Sequence, residues 1–437
     1  MLLVLGRIWG SGCTFLALWL LARQLSGDDF GRYTFYLAAF MLLDSFVDFG
    51  TGSVAVQMTA DDEGRTPNVL AATRRIRLVA GVLGLFVVGG GAFAMGEPGA
   101  GWILLAALYP ITHVFELSAT VFRTRIAWGV PVAVRVFASG ASLGFVLLLL
   151  YFDVTSPGLY LVGIAAGSAT ANFLLHFASR SQLPKTPATG NPWKEVLRAS
   201  VPLGLAGLCQ QAYFYADNVF LRAMVGREPL GHYNVGVRVM SLSIMVGVYA
   251  ALVALPWFRR EHSAGRLGPA IARLAQPLFA CACLVTGLLS PWSAQLLAVF
   301  GPEFVDAQVS LQWLFVASAL VYVGAPAMTA LVAIGKTGSV LRVASVGLLL
   351  NIAGNALLIP GMGMDGAAIA TCLTEGSVVL GAFWALRRLG VSQLGGGRPW
   401  AWALGPILFG AGWFLSRTLL TGLLSHTVSH TVSHTTQ

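Results

Sequence analysis

Charged residues are scarce in this chain, and their scarcity decides its class. Asp, Glu, Lys and Arg make up only 10% of the 437 residues, whereas hydrophobic residues make up 56%. A soluble protein carries about a quarter of its residues as charged side chains, which cover its water-facing surface. Soluble domains are therefore excluded, and the sequence predicts an all-α polytopic membrane protein. The apolar runs also lack the two-residue alternation of a membrane β-barrel, which excludes strands as the main element.

Cysteine and lysine are also few. The five cysteines all lie in apolar stretches. Cys281 and Cys283 are two positions apart and would point in different directions on a helix, so neither a zinc site nor a disulfide is predicted. The net charge of +9 comes from 24 arginines and only three lysines. Because no basic, aromatic domain stands outside the apolar stretches, nucleic-acid binding is not expected.

The C-terminal tail repeats Thr-Val-Ser-His and places His426, His430 and His434 four residues apart. On a helix these histidines would align and could bind a metal ion. The alternative, which we favour, is a solvated low-complexity tail. We therefore expect no metal site and no cofactor.

The number of spans follows from the length of the apolar runs. A transmembrane helix needs about 20 mostly apolar residues. Windows of that kind predict about 12–13 transmembrane helices, and the last window is the weakest. They cover residues 3–22, 34–57, 76–95, 101–122, 131–152, 159–179, 200–222, 232–256, 273–296, 309–334, 339–360, 365–386 and 401–420.

Arginine and lysine concentrate in alternate connections between these spans. The first such connection holds Arg65, Arg74, Arg75 and Arg77. Cytoplasmic loops are enriched in Arg and Lys, so we expect the N-terminus to be cytoplasmic.

A long polar connection divides the chain into two halves of six spans. Gly31-Arg32-Tyr33 recurs 200 residues later as Gly231-His232-Tyr233, and paired halves are common in transporters. The predicted parts are an N-terminal six-helix lobe (1–180), a cytoplasmic linker (181–198), a C-terminal six-helix lobe (199–388), an extra helix (399–423) and a low-complexity polar tail (424–437).

Ionisable side chains within the spans are the candidates for function, because they are costly in hydrocarbon and usually face a cavity or a partner. Asp44 and Asp48 are four residues apart, so they share one helix face. Glu116 and Glu375 are candidates for proton or cation sites, or for hydrogen bonds that only hold helices together. The residues of this kind are Arg7, Asp44, Asp48, His113, Glu116, Arg135, His176, Asp217, Arg238 and Glu375.

Arg7 and Arg238 are the strongest candidates for binding a substrate. A guanidinium group in a water-filled cavity presents a fork that matches phosphate oxygens. The alternative is an internal ion pair with Asp44, Asp48 or Asp217, which would only fix helix packing. Arg135 lies near a span end and could instead extend to the membrane interface.

Several short motifs resemble those of the polysaccharide and lipid-linked oligosaccharide flippases in the multidrug/oligosaccharidyl-lipid/polysaccharide exporter superfamily. The likeness spans roughly residues 1–388. The motifs are Leu21-Ala22-Arg23, Phe30-Gly31-Arg32-Tyr33, Asp48-Phe49-Gly50, Ser200-Val201-Pro202, Tyr215-Ala216-Asp217, Gly231-His232-Tyr233, Pro256, Leu350-Asn351, Ile359-Pro360 and the run from Gly363 to Thr371.

This resemblance implies two helical lobes around a central cavity in the bacterial inner membrane. It implies a flippase, not an enzyme, that moves an undecaprenyl-pyrophosphate-linked sugar repeat unit outward for O-antigen or other surface polysaccharide. A polysaccharide polymerase and a chain-length regulator would be partners, and an H⁺ or Na⁺ gradient would drive transport. Arg7, Arg238 and Arg135 would bind phosphate, and Gln210, Gln211, Tyr213 and Asn218 would contact sugars. Asp44, Asp48, Glu116, Asp217 and Glu375 would couple ions or form internal ion pairs.

The sequence leaves three alternative functions open. A multidrug cation antiporter of the same superfamily would favour a more acidic cavity. A lipid II flippase is a close relative of the favoured oligosaccharide flippase. An integral membrane enzyme, such as a polymerase or an acyltransferase, would need acid and base residues on a sizeable outside loop, and the predicted outside loops are short.

Overall fold

The computed structural model describes residues 2–120, 122, 127, 129–181, 190–391 and 400–434, and these residues contain helices and no strands. The predicted all-α class is confirmed. Most of the described residues in each of the thirteen predicted spans are helical. Ten helical segments of the described residues are long and apolar enough to cross a membrane. The protein is therefore a multi-pass membrane protein.

The chain divides into two compact units, which we call unit 1 (Met1–Val219) and unit 2 (Phe220–Gln437). The boundary lies inside a helix that begins at Trp193, so the end of the predicted linker is helical; residues 182–189 lie outside the described residues. The helices that begin in unit 1 are α1 (Leu2–Gln24), α2 (Gly27–Asp48), α3 (Thr51–Asp61), α4 (Thr66–Ala94), α5 (Ala100–Ala106), α6 (His113–Glu116), α7 (Gly129–Tyr151), α8 (Pro157–Ser179) and α9 (Trp193–Met224).

Unit 2 has fewer but longer helices. Its helices are α10 (Arg227–Val253), α11 (Leu255–Ser263), α12 (Leu267–Leu289), α13 (Ser293–Ala298), α14 (Gln308–Ala333), α15 (Thr337–Arg388) and α16 (Trp400–His434). Short 3₁₀ turns cover Glu63–Arg65, Tyr109–Thr112, Leu117–Ala119, Ser290–Trp292 and Pro302–Ala307.

Helix α15 contains two predicted spans joined by a sharp bend. Gly363 at the bend has φ 55° and ψ −129°, a conformation that needs glycine. Beyond the bend, a Cβ on Gly366 would lie 2.6 Å from the backbone of Leu358. The two halves of α15 therefore fold back on each other with little room between them.

Helix α16 extends further than the predicted extra helix. It is helical from Trp400 to His434, so most of the predicted polar tail continues the helix. The side chains of the three tail histidines lie outside the described residues.

Ion pairs tie the ends of unit 1. Arg32 near the start of α2 contacts Glu97, which lies between α4 and α5, with an Nε–Oε2 distance of 3.3 Å. Arg65 before α4 and Glu195 at the start of α9 are joined by an Nη2–Oε2 distance of 2.6 Å. The first contact joins the start of α2 to the connection between α4 and α5. The second joins the connection before α4 to the start of α9.

The cysteines form no disulfide within the described residues. They lie in α1, α9, α12 and α15, inside or next to the apolar segments. Cys13 and Cys283 are buried, and Cys281 is exposed on the surface of α12.

Candidate functional site

Arg77 of α4 lies at the centre of a group of charged side chains inside unit 1. Its side chain is only 2% exposed. Nε donates to Thr51 Oγ1 at 3.0 Å, Nη1 donates to Glu116 Oε2 at 3.3 Å, and Nη2 donates to the Asp48 carboxylate. Pairing of this kind is what allows a charge to be buried. We call Asp44, Asp48, Arg77, His113 and Glu116 the charged cluster.

The charged cluster fixes a break between α2 and α3. Phe49 and Gly50 at the break have φ values of 42° and 70°, which lie in the left-handed region. The Gly50 amide donates to Asp48 Oδ2 at 3.1 Å, and the Thr51 hydroxyl donates to the Asp48 carbonyl at 2.6 Å. Asp48 thus connects the broken backbone to Arg77. Broken helices at membrane depth commonly mark binding sites in transporters.

Glycine on α9 makes room for this break. A Cβ built on Gly204 would lie 2.5 Å from the Phe49 carbonyl oxygen. Real Cβ atoms do not approach a backbone oxygen so closely, so only glycine fits without a shift of the backbone. The left-handed residues of the break and α9 are therefore in direct contact.

An irregular segment supplies the other side of the charged cluster. After α5 the chain continues as short 3₁₀ turns around α6, with Pro110 near the start of the first turn. Backbone carbonyls of this segment accept hydrogen bonds from arginines: the His113 carbonyl from Arg77 at 3.2 Å and the Val114 carbonyl from Arg74 at 3.3 Å. The arginine side chains thereby supply hydrogen bonds to backbone carbonyls, which the hydrocarbon of a membrane cannot provide.

His113 lies between two carboxylates. Its Nδ1 is 3.0 Å from Glu116 Oε2. Its Nε2 is 2.7 Å from Asp44 Oδ1, although the N–H direction is not aligned for a hydrogen bond. Asp44 also accepts a hydrogen bond of 3.1 Å from the Tyr109 hydroxyl. His113 and Glu116 are 12% and 16% exposed, whereas Asp44 is 41% exposed, so the charged cluster is open on the side of α2.

A second polar layer lies beside the charged cluster. The Ser118 hydroxyl accepts from Arg74 Nη2 at 3.0 Å and is 2.7 Å from His176 Nδ1. Asn172 of α8 donates to the Thr112 hydroxyl at 2.9 Å. These contacts tie α4 and α8 to the irregular segment through polar rather than apolar groups.

Unit 2 holds a different set of buried polar side chains. Asn351 and Asn355 on α15 are fully buried, and Asn355 Nδ2 donates to Asn351 Oδ1 at 2.9 Å. The remaining amide atoms, Asn351 Nδ2 and Asn355 Oδ1, have no hydrogen-bond partner among the described residues. Glu375, beyond the bend of α15, is buried and has no ion-pair or hydrogen-bond partner in the described part of the chain.

The structure describes the side chains of two of the three arginines predicted to bind phosphate. Arg238 on α10 is half-buried and makes no hydrogen bond or ion pair within the described ranges. Arg135 on α7 is exposed. The side chain of Arg7 lies outside the described residues.

The predicted sugar-contacting residues all lie on α9. Gln210 is exposed and Gln211 is half-buried, whereas Tyr213 is buried. Asn218 is buried and donates through Nδ2 to Asp217 Oδ1 at 2.9 Å. Asp217 also accepts from the Asn218 amide at 2.8 Å, so these two neighbours form one polar pair.

A family model described as "Polysaccharide biosynthesis protein" matches residues 1–262, which is more than half of the chain. The chain belongs to this family. Among proteins with curated functions, none matches it. The family model thereby confirms the predicted resemblance to a polysaccharide family.

The fold of this polysaccharide biosynthesis family member is shared with solved transporters. A lipid II flippase MurJ in an inward closed conformation has a TM-score of 0.71 at 13% identity, covering 97% of this chain and 98% of the other. An inward-facing multidrug resistance MATE transporter of the MOP superfamily has a TM-score of 0.69 at 16% identity, with coverages of 88% and 95%. A MOP superfamily transporter from Pyrococcus furiosus, whose binding pocket is described as reversed in polarity, has a TM-score of 0.67 at 16% identity, with coverages of 89% and 94%.

The structure corrects the placement of some predicted residues and brings others together. Arg74, Arg75 and Arg77 are predicted in a connection between spans, which is wrong, because all three lie on α4, which begins at Thr66 and buries Arg77. Asp44, Asp48 and Glu116 come together, as members of one cluster. The sequence marks His113 as a protonatable group, and its spacing of three residues from Glu116 is the signal that the two interact.

Proposed function

We propose that this member of the polysaccharide biosynthesis family flips a lipid-linked oligosaccharide from the inner to the outer leaflet of the bacterial inner membrane. It is a transporter rather than an enzyme, and its substrate is an undecaprenyl-pyrophosphate-linked repeat unit of O-antigen or another surface polysaccharide. The observation that carries the proposal is a polysaccharide-family chain with the fold of a lipid II flippase over 97% of its length. Sugars and pyrophosphate cannot cross hydrocarbon unaided, so alternating access must shelter them.

The residue roles follow from charge and burial. Arg238 is half-buried and has no counter-ion among the residues that the structure describes, and a guanidinium in that state is available to phosphate oxygens. Arg7 and Arg135 are further candidates for the phosphates. Polar groups of α9 are the candidates for sugar contacts, namely Gln210, Gln211, Tyr213 and Asn218.

Transport in this proposal is coupled to an H⁺ or Na⁺ gradient through carboxylates inside the helices. Asp44, Asp48 and Glu116 in unit 1, Asp217 on α9 and Glu375 in unit 2 are the candidates. The N-terminus is cytoplasmic, and a polysaccharide polymerase with its chain-length regulator receives the product.

Reconstitution tests the proposal. We expect proteoliposomes with this protein to move a fluorescent undecaprenyl-pyrophosphate oligosaccharide between leaflets. Arg238→Ala should lower the flipping rate about tenfold or more, the effect of losing one charged hydrogen bond to phosphate. Arg260→Ala, which removes an exposed arginine of α11, is the matched control. Absence of flipping by folded wild-type protein contradicts the proposal.

A multidrug cation antiporter is the second candidate, because MATE transporters share the fold and Asp48 presents a carboxylate that is 44% exposed. Export of a cationic dye that is unaffected by Arg238→Ala would favour it. The same vesicles supplied with lipid II distinguish a lipid II flippase from one that prefers an oligosaccharide repeat unit.

A further inference from the structure

We infer that Arg266 and Arg273 bind the phosphate of an anionic phospholipid of the surrounding membrane. These two arginines lie on unit 2 together with Trp257 and Glu261, and we call the four residues the interface site. The inference goes beyond the proposed function, because the ligand is a lipid of the bilayer and not the transported substrate. It can therefore hold whether or not the protein flips an oligosaccharide.

Glu261 of α11 holds the two arginines side by side. Arg266 donates to its carboxylate through Nε at 2.9 Å and through Nη2 at 3.3 Å. Arg273 Nη2 lies 3.7 Å from Glu261 Oε2. The hydrogen bond from Arg266 lowers the pKa of the Glu261 carboxyl, so the carboxylate is charged at neutral pH. Two guanidinium groups are thus fixed on one anchor.

Both arginines keep hydrogen-bond donors at the surface of the protein. A guanidinium group has five N–H groups. Arg266 uses two of them on Glu261, and Arg273 uses Nε on the Pro269 carbonyl at 3.3 Å. Neither arginine has a partner for Nη1 among the residues that the structure describes, and their side chains are 60% and 61% exposed. These donors are available to a ligand.

The charge of the interface site matches a single phosphodiester. Two guanidinium groups and one carboxylate leave a charge of +1, and a phosphodiester carries one negative charge. Adjacent guanidinium groups present planar sets of N–H groups to phosphate oxygens, which is the geometry in which arginine binds phosphate most strongly. A zwitterionic phospholipid would also bring an ammonium group, which the arginines repel. The interface site therefore favours an anionic head group.

An aromatic ring indicates that the interface site lies at the level of the lipid head groups. Trp257 of α11 is half-buried, and the Arg273 guanidinium carbon lies 5.8 Å from the centre of its ring. Phe258, the next residue, is fully buried and anchors α11 to the bundle. Tryptophan is enriched where a membrane meets water, and a cation over its ring is attracted to the ring face. Trp257 and Arg273 together are suited to that boundary.

The surface next to the interface site becomes apolar. Pro277 and Leu284 follow Arg273 by four and eleven residues, so they lie on its face of α12, and both are exposed. At the end of α10, Leu252 and Val253 are 53% and 75% exposed. Acyl chains that cover these apolar residues would place their phosphate beside the arginines. A free phosphate ion gains nothing from such a surface, so a phospholipid fits better.

Native mass spectrometry of the full-length protein, released from detergent with phosphatidylglycerol or phosphatidylcholine, tests the site. We expect wild type to bind one phosphatidylglycerol with a dissociation constant at least about tenfold lower than that for phosphatidylcholine. Arg273→Gln should raise the constant for phosphatidylglycerol about tenfold, the effect of losing one charged hydrogen bond. Equal constants of wild type for the two lipids, or an unchanged constant in Arg273→Gln, overturn the inference.

Arg260→Gln is the matched control, because it removes one positive charge from an exposed arginine of α11 that makes no contact with Glu261. It should leave the constant for phosphatidylglycerol nearly unchanged. Equal weakening by Arg260→Gln and Arg273→Gln overturns the inference, since attraction to net charge would then explain the binding. Inorganic phosphate at the concentration of the lipid should not displace phosphatidylglycerol. Displacement would show that the site needs no acyl chains and would overturn the assignment to a phospholipid.

Thermal unfolding in nanodiscs separates a lost site from a misfolded variant. In phosphatidylcholine, wild type, Arg260→Gln and Arg273→Gln should unfold at the same temperature, because the two arginines are exposed. If Arg273→Gln unfolds earlier, Arg266→Gln replaces it. Phosphatidylglycerol should raise the unfolding temperature of wild type and Arg260→Gln but not of the site variant, because a ligand that binds only the folded state stabilises it. The same rise in all three proteins overturns the inference.

Discussion

Arg77 shows how one side chain can hold three elements of a membrane bundle together. Its hydrogen bonds reach α2, α3 and the segment that contains α6, and its side chain is almost completely buried. Removing one partner of a buried ion pair leaves the other charge uncompensated, which is more costly than the pair itself is favourable. The charged cluster is therefore sensitive to the loss of this one residue.

Replacing Arg77 with methionine should lower the stability of the purified protein by about 3–5 kcal/mol, because Asp48 and Glu116 lose their buried counter-ion. Denaturant unfolding in detergent measures this change. Arg75→Met, two residues away on the same helix and exposed, should change it by no more than about 0.5 kcal/mol. Equal losses of stability in the two variants would show that the ion pairs of Arg77 do not stabilise the fold.

The sequence identifies the carboxylates of the charged cluster but not their counter-ion. Asp44, Asp48 and Glu116 stand out because a carboxylate is rare within an apolar run. Arg77 does not, because it lies at the edge of its apolar window beside two other arginines, Arg74 and Arg75. Hydropathy cannot show that α4 begins ten residues before that window. The helix start near Pro67 is the signal that would have indicated a deeper position.

At the scale of elements, the break between α2 and α3 depends on glycine as much as on charge. Gly50 adopts a left-handed conformation, and Gly204 lies against the backbone of Phe49. Phe49 itself is left-handed, which is uncommon for a bulky residue and is retained only where surrounding contacts fix it. The contacts here are the hydrogen bonds of Asp48 and the close approach of α9.

Gly204→Ala should destabilise the protein by about 1–3 kcal/mol, because the new methyl group overlaps the Phe49 carbonyl and forces a backbone shift. Thermal unfolding in detergent measures the loss. Gly207→Ala on the same helix is the matched control, since its Cβ would have only one neighbour, Ser45 Oγ at 3.9 Å. That control should be neutral or stabilising, because alanine favours a helix over glycine. A neutral Gly204→Ala would contradict the close contact described above.

Helix positions are largely predictable from apolar run length, and helix irregularities are not. The described residues of every predicted span are mostly helical, because a span must satisfy its own backbone hydrogen bonds. The 3₁₀ turns at Tyr109–Thr112 and Leu117–Ala119 lie within one predicted span and give no hydropathy signal. They depend on tertiary partners, namely the arginines that bind the carbonyls of His113 and Val114.

For the whole molecule, the proposed flippase activity has a consequence in the cell. Deleting the gene should cause lipid-linked repeat units to accumulate on the inner leaflet, because their head groups cannot cross hydrocarbon without the protein. Lipid extraction with a leaflet-specific glycosidase assay measures this accumulation, and the wild-type gene should reverse it. Normal surface polysaccharide in the deletion strain, with no redundant transporter, would count against the proposed substrate.

The positions of the cysteines make the unmodified chain a suitable background for chemical labelling. All five lie on helices of the apolar bundle, and none is joined to another in the part of the chain described. A water-soluble maleimide reacts with thiolate at an aqueous surface and has little access to thiols in hydrocarbon. A single cysteine placed at a connection between helices can therefore report which side of the membrane that connection occupies.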